Sequence, residues 1–290
     1  MGVGTQFFKS KKDKTMTTEK LITFAQTDKV AYLGREAVKA IILDMTTPPN
    51  KYADEVVSSS YTYPNKYKLK PIDEQVKTIA TIFGVDSKEA LEFIKMLPAL
   101  PEGAEGWFAI PKVSSVAKKH FSAITDSAEQ YCEATKLVHS KLAESRSFYN
   151  YLKGQITTAQ IREHPRTLSF LEQLESEQQG DILILAVQYG MRHRGKSVRR
   201  ARETFLDNEF GLTSFALGCM ALVHPDRHVC SKELDTDCAG DEFAPAPGGD
   251  GVFSRAPFFR FFGGELEFGT SGVSGAGGRY GSVSGFVPQN

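Results

Sequence analysis

The stretch Phe258-Phe259-Arg260-Phe261-Phe262-Gly263-Gly264-Glu265-Leu266-Glu267-Phe268 constrains the fold of this chain more than any other. Two glycines between two short apolar runs supply the positive φ angles of a primed two-residue turn, so the segment reads as a β-hairpin. In that register Phe259 faces Phe268 and Phe261 faces Leu266 on one side. On the other side Arg260 meets Glu267, a cross-strand pair of opposite charge. A lone hairpin is marginal in water, so the four apolar side chains need a second layer to lie against. An all-helical fold is thereby excluded.

Composition extends this reading. The last 50 residues hold 12 of the 25 glycines and 8 of the 20 phenylalanines, a glycine density that no helical domain tolerates. The chain before them reads mainly as helices. The expected fold is therefore α+β. It comprises a flexible basic tail over 1–16, a mainly helical body over 17–223, an acidic, cysteine-containing connector over 224–240 and a small Gly/Phe-rich antiparallel β module over 241–290. The run GTSGVSGAGGRYGSVSGFVPQ suits short strands joined by tight turns, and its low complexity allows partial disorder.

Within the body, apolar residues recur at helical spacing. Val30, Leu33, Val38, Ile41 and Ile42 predict a helix within 17–45, ended by Pro48 and Pro49. Pro71, the stripe Ile72, Val76, Ile79 and Phe83, and the closing Gly84 predict the next. Asp86 and Glu89 have capping-box spacing ahead of Leu91, Ile94 and Leu97. The longest helix is expected over 126–149, another after Pro165, and a buried one over 210–223. The segment 98–112, rich in proline and glycine, reads as a rigid loop in which Trp107 plugs the core.

A formal net charge of zero argues against a general nucleic-acid coat, whose affinity comes from many phosphate contacts. It leaves room for a local basic site. No apolar run reaches the roughly 18–20 residues that span a bilayer, and the basic N-terminus lacks the apolar core of a secretory signal. A cytoplasmic location with no membrane partner is expected. The four cysteines include no C-x-x-C pair and are expected to be free thiols.

Residues 181–202, DILILAVQYGMRHRGKSVRRAR, carry the string G-x-x-x-x-G-K-S from Gly190 to Ser197 behind an apolar run. Read as a phosphate loop, Gly190 and Gly195 let the backbone curl round a nucleotide, Lys196 binds its phosphates and Ser197 its magnesium ion. The bulky Met191, Arg192, His193 and Arg194 weigh against this, as does the lack of a following apolar strand ending in aspartate. Read as a basic patch, Arg192, Arg194, Lys196, Arg199, Arg200 and Arg202 concentrate charge suited to phosphate. The expected function is then non-enzymatic binding of a polyanion such as nucleic acid. The alternatives are a nucleotide-dependent enzyme, and a purely structural or protein-interaction role in which the arginines pair internally.

The junction 224–242, HPDRHVCSKELDTDCAGDE, offers His224, His228, Cys230 and Cys238 as zinc ligands. Pro225 interrupts the histidine spacing, however, and the cysteine spacing fits no zinc knuckle. Asp235, Asp237 and Asp241 with Gly240 resemble the start of a calcium loop, but Ala239 and Ala246 stand where further ligands are needed. An acidic, turn-forming connector is the alternative to both. No nucleophile elbow or zinc-protease motif is present, His139 reads as a partly exposed residue of the long helix, and no cofactor is expected.

The segments PEGAEGWFAIPK, QYGMRHRGKSVRRARETF and EFGLTSFALG, with DCAGDEFAP, APFFRF and YGSVSGFVPQ, are similar to those of uncharacterised proteins from small-genome candidate-phylum bacteria. The resemblance covers most of residues 60–290. It implies no activity and carries over no catalytic residue.

Overall fold

Capping signals place the first helices where the sequence predicts them. Helix α1 (Ile72–Phe83) follows Pro71 and ends at Gly84, whose φ of 65° is left-handed, and it buries Val76, Ile79 and Phe83. Helix α2 (Lys88–Phe93) begins after Ser87 rather than Asp86, and the Asp86 carboxylate accepts from the Lys88 N–H at 2.9 Å. Next come α3 (Val113–His120) and α4 (Ser127–Ser145), the latter capped by Asp126 through the Glu129 N–H. The remaining helices are α5 (Pro165–Glu177), α6 (Val198–Glu203) and α7 (Ser214–Val223). The computed structural model describes residues 50–245 and 252–288, which fall in one unit. The expected tail over 1–16 and the helix within 17–45 lie outside the described residues.

The described strands form two sheets. The first contains β1 (Gly106–Pro111), β4 (Ile182–Gln188), β5 (Glu209–Gly211) and β11 (Ser284–Phe286) in the order β1-β4-β11-β5, every pair antiparallel. The second runs from β10 (Tyr280–Ser282) through β6 (Asp235–Asp237), β8 (Arg255–Phe262) and β7 (Asp241–Phe243) to β3 (Ile161–Glu163). Strand β9 (Glu265–Gly272) pairs with β8 as the predicted hairpin, and β2 (Phe148–Asn150) adds to β9 in parallel. The predicted register holds, with Phe259 opposite Phe268, Phe261 opposite Leu266 and Arg260 opposite Glu267.

The expected division into a helical body and a terminal β module is overturned. The chain is a mixed fold in which strands run throughout. All seven residues of β4 are buried, so it shows no alternation and cannot be told from a buried helix by periodicity. Strands β2, β3 and β5 have three residues each, too few to carry a pattern. Trp107 lies in β1, not in a loop. Above all, β11 sits between β4 and β5, so the glycine-rich C-terminal run supplies an internal strand to a sheet whose other members come from the supposed body.

The core joins both sheets through two helices. Helix α7 buries every residue except Leu222 and packs on α4, α1 and β1. Gly218 of α7 lies so close to Val138 of α4 that a Cβ there would overlap it. The hairpin's inner face meets α4 at His139, whose ring is 4.3 Å from that of Phe268. His139 is buried, not partly exposed, and burial pulls its imidazole down to about 3.

Candidate functional site

Strand β4 delivers Gly190 and the basic segment at its C-terminal end, beside the connector 50–63 and β10. The string Gly190–Ser197 does not form an open cradle. The Gly190 and Arg192 N–H groups donate to the Gln188 side chain, and Met191 N–H to the Tyr63 hydroxyl. The N–H groups of His193, Arg194 and Lys196 close a local turn, while Gly195 donates to Tyr280 and Ser197 to Glu55. A phosphate loop works through free N–H groups pointed at the ligand, and here each one has a protein acceptor. Gly195 has its own reason to be glycine: its φ is 77°, and a Cβ would overlap the Val57 carbonyl oxygen. Lys196 Nζ donates to His193 Nδ1 and Thr204 Oγ1, and the Ser197 hydroxyl to Glu55. The surrounding sheet is antiparallel rather than the parallel sheet a phosphate loop normally serves.

The arginines are engaged in the same way. Arg199 pairs with Glu55 and stacks over Tyr52 at 4.3 Å. Arg200 pairs with Glu203 at 2.6 Å and reaches Asn50. Arg202 donates to the carbonyls of Ala239 and Asp241 at 2.9 and 2.6 Å. Arg194 donates to the Tyr61 carbonyl, and Arg192 makes a long contact of 3.4 Å to Glu209. Glu55 and Tyr61 come from the connector, so the cluster ties that segment to the body. Two side chains remain substantially open, Arg192 at 30% and Arg199 at 37%.

Beneath the segment lies a buried chain of polar groups. Glu209 accepts from His193 Nε2 at 2.7 Å, from the Ser284 hydroxyl at 2.5 Å and from the Leu206 N–H at 3.1 Å. Burial pushes the Glu209 carboxyl up, but the His193 bond and the other donors outweigh it and hold the group below its ordinary value. Burial pulls His193 down against that same partner. Lys196 and His193 therefore orient Glu209 around β11, and the network binds the C-terminal strand in place.

The junction 224–242 does not assemble a metal site. The His224 Nε2 accepts from the Lys70 N–H at 3.3 Å, and its Nδ1 lies 3.2 Å from the Met220 carbonyl. His228 Nε2 contacts Thr236 Oγ1, Cys238 is buried and Cys230 partly so. Among the described residues no three metal-ligating side chains come together. The three aspartates separate as well: Asp235 pairs with Arg279 at 2.8 Å, and Asp241 binds Tyr131 and Ser214. Asp237 is buried and pushed up to about 7.

A pairing that sequence reading missed lies next to Asp241. Glu163 of β3 stands directly opposite it in the β3–β7 pair, and lines a pocket of about 20 Å³ with Lys112, Glu175 and Thr213 between apolar walls that include Leu183 and Phe215. Burial, and then Asp241, raise Glu163 to about 8, and burial raises Asp241 to about 6. Strand β3 is three residues before a proline-initiated helix, so the only legible local signal was Pro165. Two carboxyls whose environments push their proton affinities apart are the pattern from which acid–base pairs are built, but a volume that holds about one water admits no larger substrate.

Compared with protein-family profiles, with curated proteins and with solved structures, the chain has no match. No helix among the described residues is long and apolar enough to cross a membrane.

Proposed function

We propose that the chain is a non-enzymatic structural or protein-interaction protein, and that its arginine cluster is an internal clasp rather than a contact surface. The observation that carries this reading is the set of partners at 192–202. The side chains of Arg194, Lys196, Arg199, Arg200 and Arg202 each hydrogen-bond to a protein acceptor, several of them main-chain carbonyls. A guanidinium placed on two carbonyls is fixed by them and has fewer donors left for phosphate. The interaction half of the reading is supported by Tyr149, Tyr151 and Phe262, each about half exposed. Tyr149 and Tyr151 meet edge to face at 4.7 Å beside β9, and exposed aromatic groups of this kind mark contact sites.

A polyanion remains the second reading because Arg192 and Arg199 keep open faces. One experiment separates the two. Arg202→Ala and Arg199→Ala are compared with the parent protein for thermal stability and for retention on immobilised DNA at low salt. The clasp predicts a lower Tm for Arg202→Ala and no retention for any form. Retention of the parent that weakens with salt and is lost in Arg199→Ala at unchanged Tm would overturn it in favour of phosphate binding.

A further inference from the structure

Strands β3 and β7 are joined by three residue pairs, and in one of these Glu163 faces Asp241. Directly opposed residues project to the same side of a sheet with Cβ atoms about 4.5–5.5 Å apart, so two acidic side chains rise side by side from one face. Asp241 is fully buried and firmly held. Its Oδ1 accepts from the Tyr131 hydroxyl at 2.6 Å and its Oδ2 from the Ser214 N–H at 2.6 Å, donors that favour its ionised form. No hydrogen bond reaches the Glu163 carboxyl among the described residues.

Most of the groups nearest Glu163 are acidic or neutral. From α5, Glu172 and Glu175 add negative charge beside Glu163. The Lys112 ammonium, at the start of α3, is taken up by the carbonyls of Glu175 and Gln178 at 3.2 and 2.6 Å. From α4, Tyr131 and Cys132 face the pair as neutral groups, both pushed up by burial. From α6, Arg202 bears on Asp241 but donates to main-chain carbonyls. Asp237 and Cys238 lie on the chain just before β7, adding a carboxyl and a thiol. Arg162 and Glu242 pair at 2.8 Å on the opposite face of the same strands, because side chains alternate along a strand.

We propose that Glu163 and Asp241 form a proton-operated latch: a proton on Glu163 keeps β3 on β7, and its loss to solvent sets two carboxylates against each other and frees β3. The fold makes β3 the strand that moves. It is the last in the described strand order and pairs only with β7, whereas β7 is pinned through Asp241 to α4 and α7. His164, which follows β3, donates its N–H to the Gly240 carbonyl and caps α5, so release of β3 loosens the start of α5 as well. Such openings are local events with their own free energy.

The sign follows from the direction of the shift. Glu163 is raised from 4.5 to about 8, so the closed form holds its proton more tightly than the open form does. The stability of the closed form is complete below the ordinary glutamate value and is lost as pH rises through about 8. Amide exchange at 161–163 and 241–243, corrected for the intrinsic pH dependence of exchange, reads this directly. In the parent protein the opening constant should rise by up to about tenfold per pH unit from pH 5 to 8, then level off. In Glu163→Gln, which keeps the size and removes the ionisation, it should stay flat. Protection that is independent of pH in the parent, or a rise that persists in Glu163→Gln, overturns the latch. A carbon-13 titration of the Glu163 carboxyl in the parent provides the test if the variant does not fold: titration near the ordinary glutamate value would overturn the latch.

Discussion

The hairpin 258–268 and the segment 190–203 behave in opposite ways. Both carry a vivid local signal, two glycines between apolar runs in one and a phosphate-loop string in the other. The hairpin adopts the structure its signal predicts, down to the cross-strand pairs, because its turn, register and ion pair involve residues close in sequence. Arg260 and Glu267 are seven positions apart and meet at 2.6 Å. The string instead takes its conformation from distant partners: Ser197 bonds to Glu55, 142 positions away, and Gly195 to Tyr280. A motif predicts structure when its partners lie inside it, and misleads when long-range acceptors claim its donors.

Three tests bear on this contrast. The largest effect is expected at the hairpin's inner face. Phe268 is fully buried against His139 and Phe259, so Phe268→Ala should cost about 3–5 kcal/mol in denaturant unfolding. A loss below about 1 kcal/mol would mean that the layer over the hairpin is loose. A smaller effect distinguishes the two turns. Gly195 and Gly264 both have positive φ, 77° and 92°, but only Gly195 has backbone within reach of an added Cβ. Gly264→Ala should cost about 1–2 kcal/mol, the backbone penalty alone, and Gly195→Ala clearly more, because the connector must also move. Equal costs would show that the connector yields freely and is no part of the clasp. The smallest effect is expected in the coupling of Arg260, partly exposed, to the buried Glu267, which Tyr151 also holds; for Arg260→Ala the cross-strand share is about 0.2–1 kcal/mol. It is measured against Glu267→Ala in a double-mutant cycle, and a coupling near zero would leave register to the apolar face.

Much of the helical framework was legible because its signals are short-range. Pro71 and Gly84 bracket α1, Asp126 caps α4, and Pro165 opens α5. The strands were not. In β4 every side chain is covered, and full burial erases the alternation by which a strand is recognised. The helix expected over 126–149 ends at Ser145: Phe148–Asn150 pairs with β9, and sheet hydrogen bonds outweigh a helical spacing that continues past that point. The burial of His139 is invisible in the sequence because nothing in the helix itself marks the three phenylalanines, Phe148, Phe259 and Phe268, that lie against it.

Residue order alone was enough to specify the hairpin, both ends of α1, the starts of α4 and α5 and the clustering of cations at 192–202, since each depends on dihedral preferences, capping or charge within a few residues. Which groups neutralise those cations, and that Glu163 confronts Asp241, depended on folding. Apart from the local Arg200–Glu203 and Lys196–Thr204 contacts, these bring together residues tens to more than a hundred positions apart, and the free energy of each is set by burial and by the acceptors that the rest of the chain places there. The place of β11 between β4 and β5 is of the same kind. A three-residue glycine-bearing strand has no preference strong enough to fix its neighbours, so the sheet that receives it makes the choice.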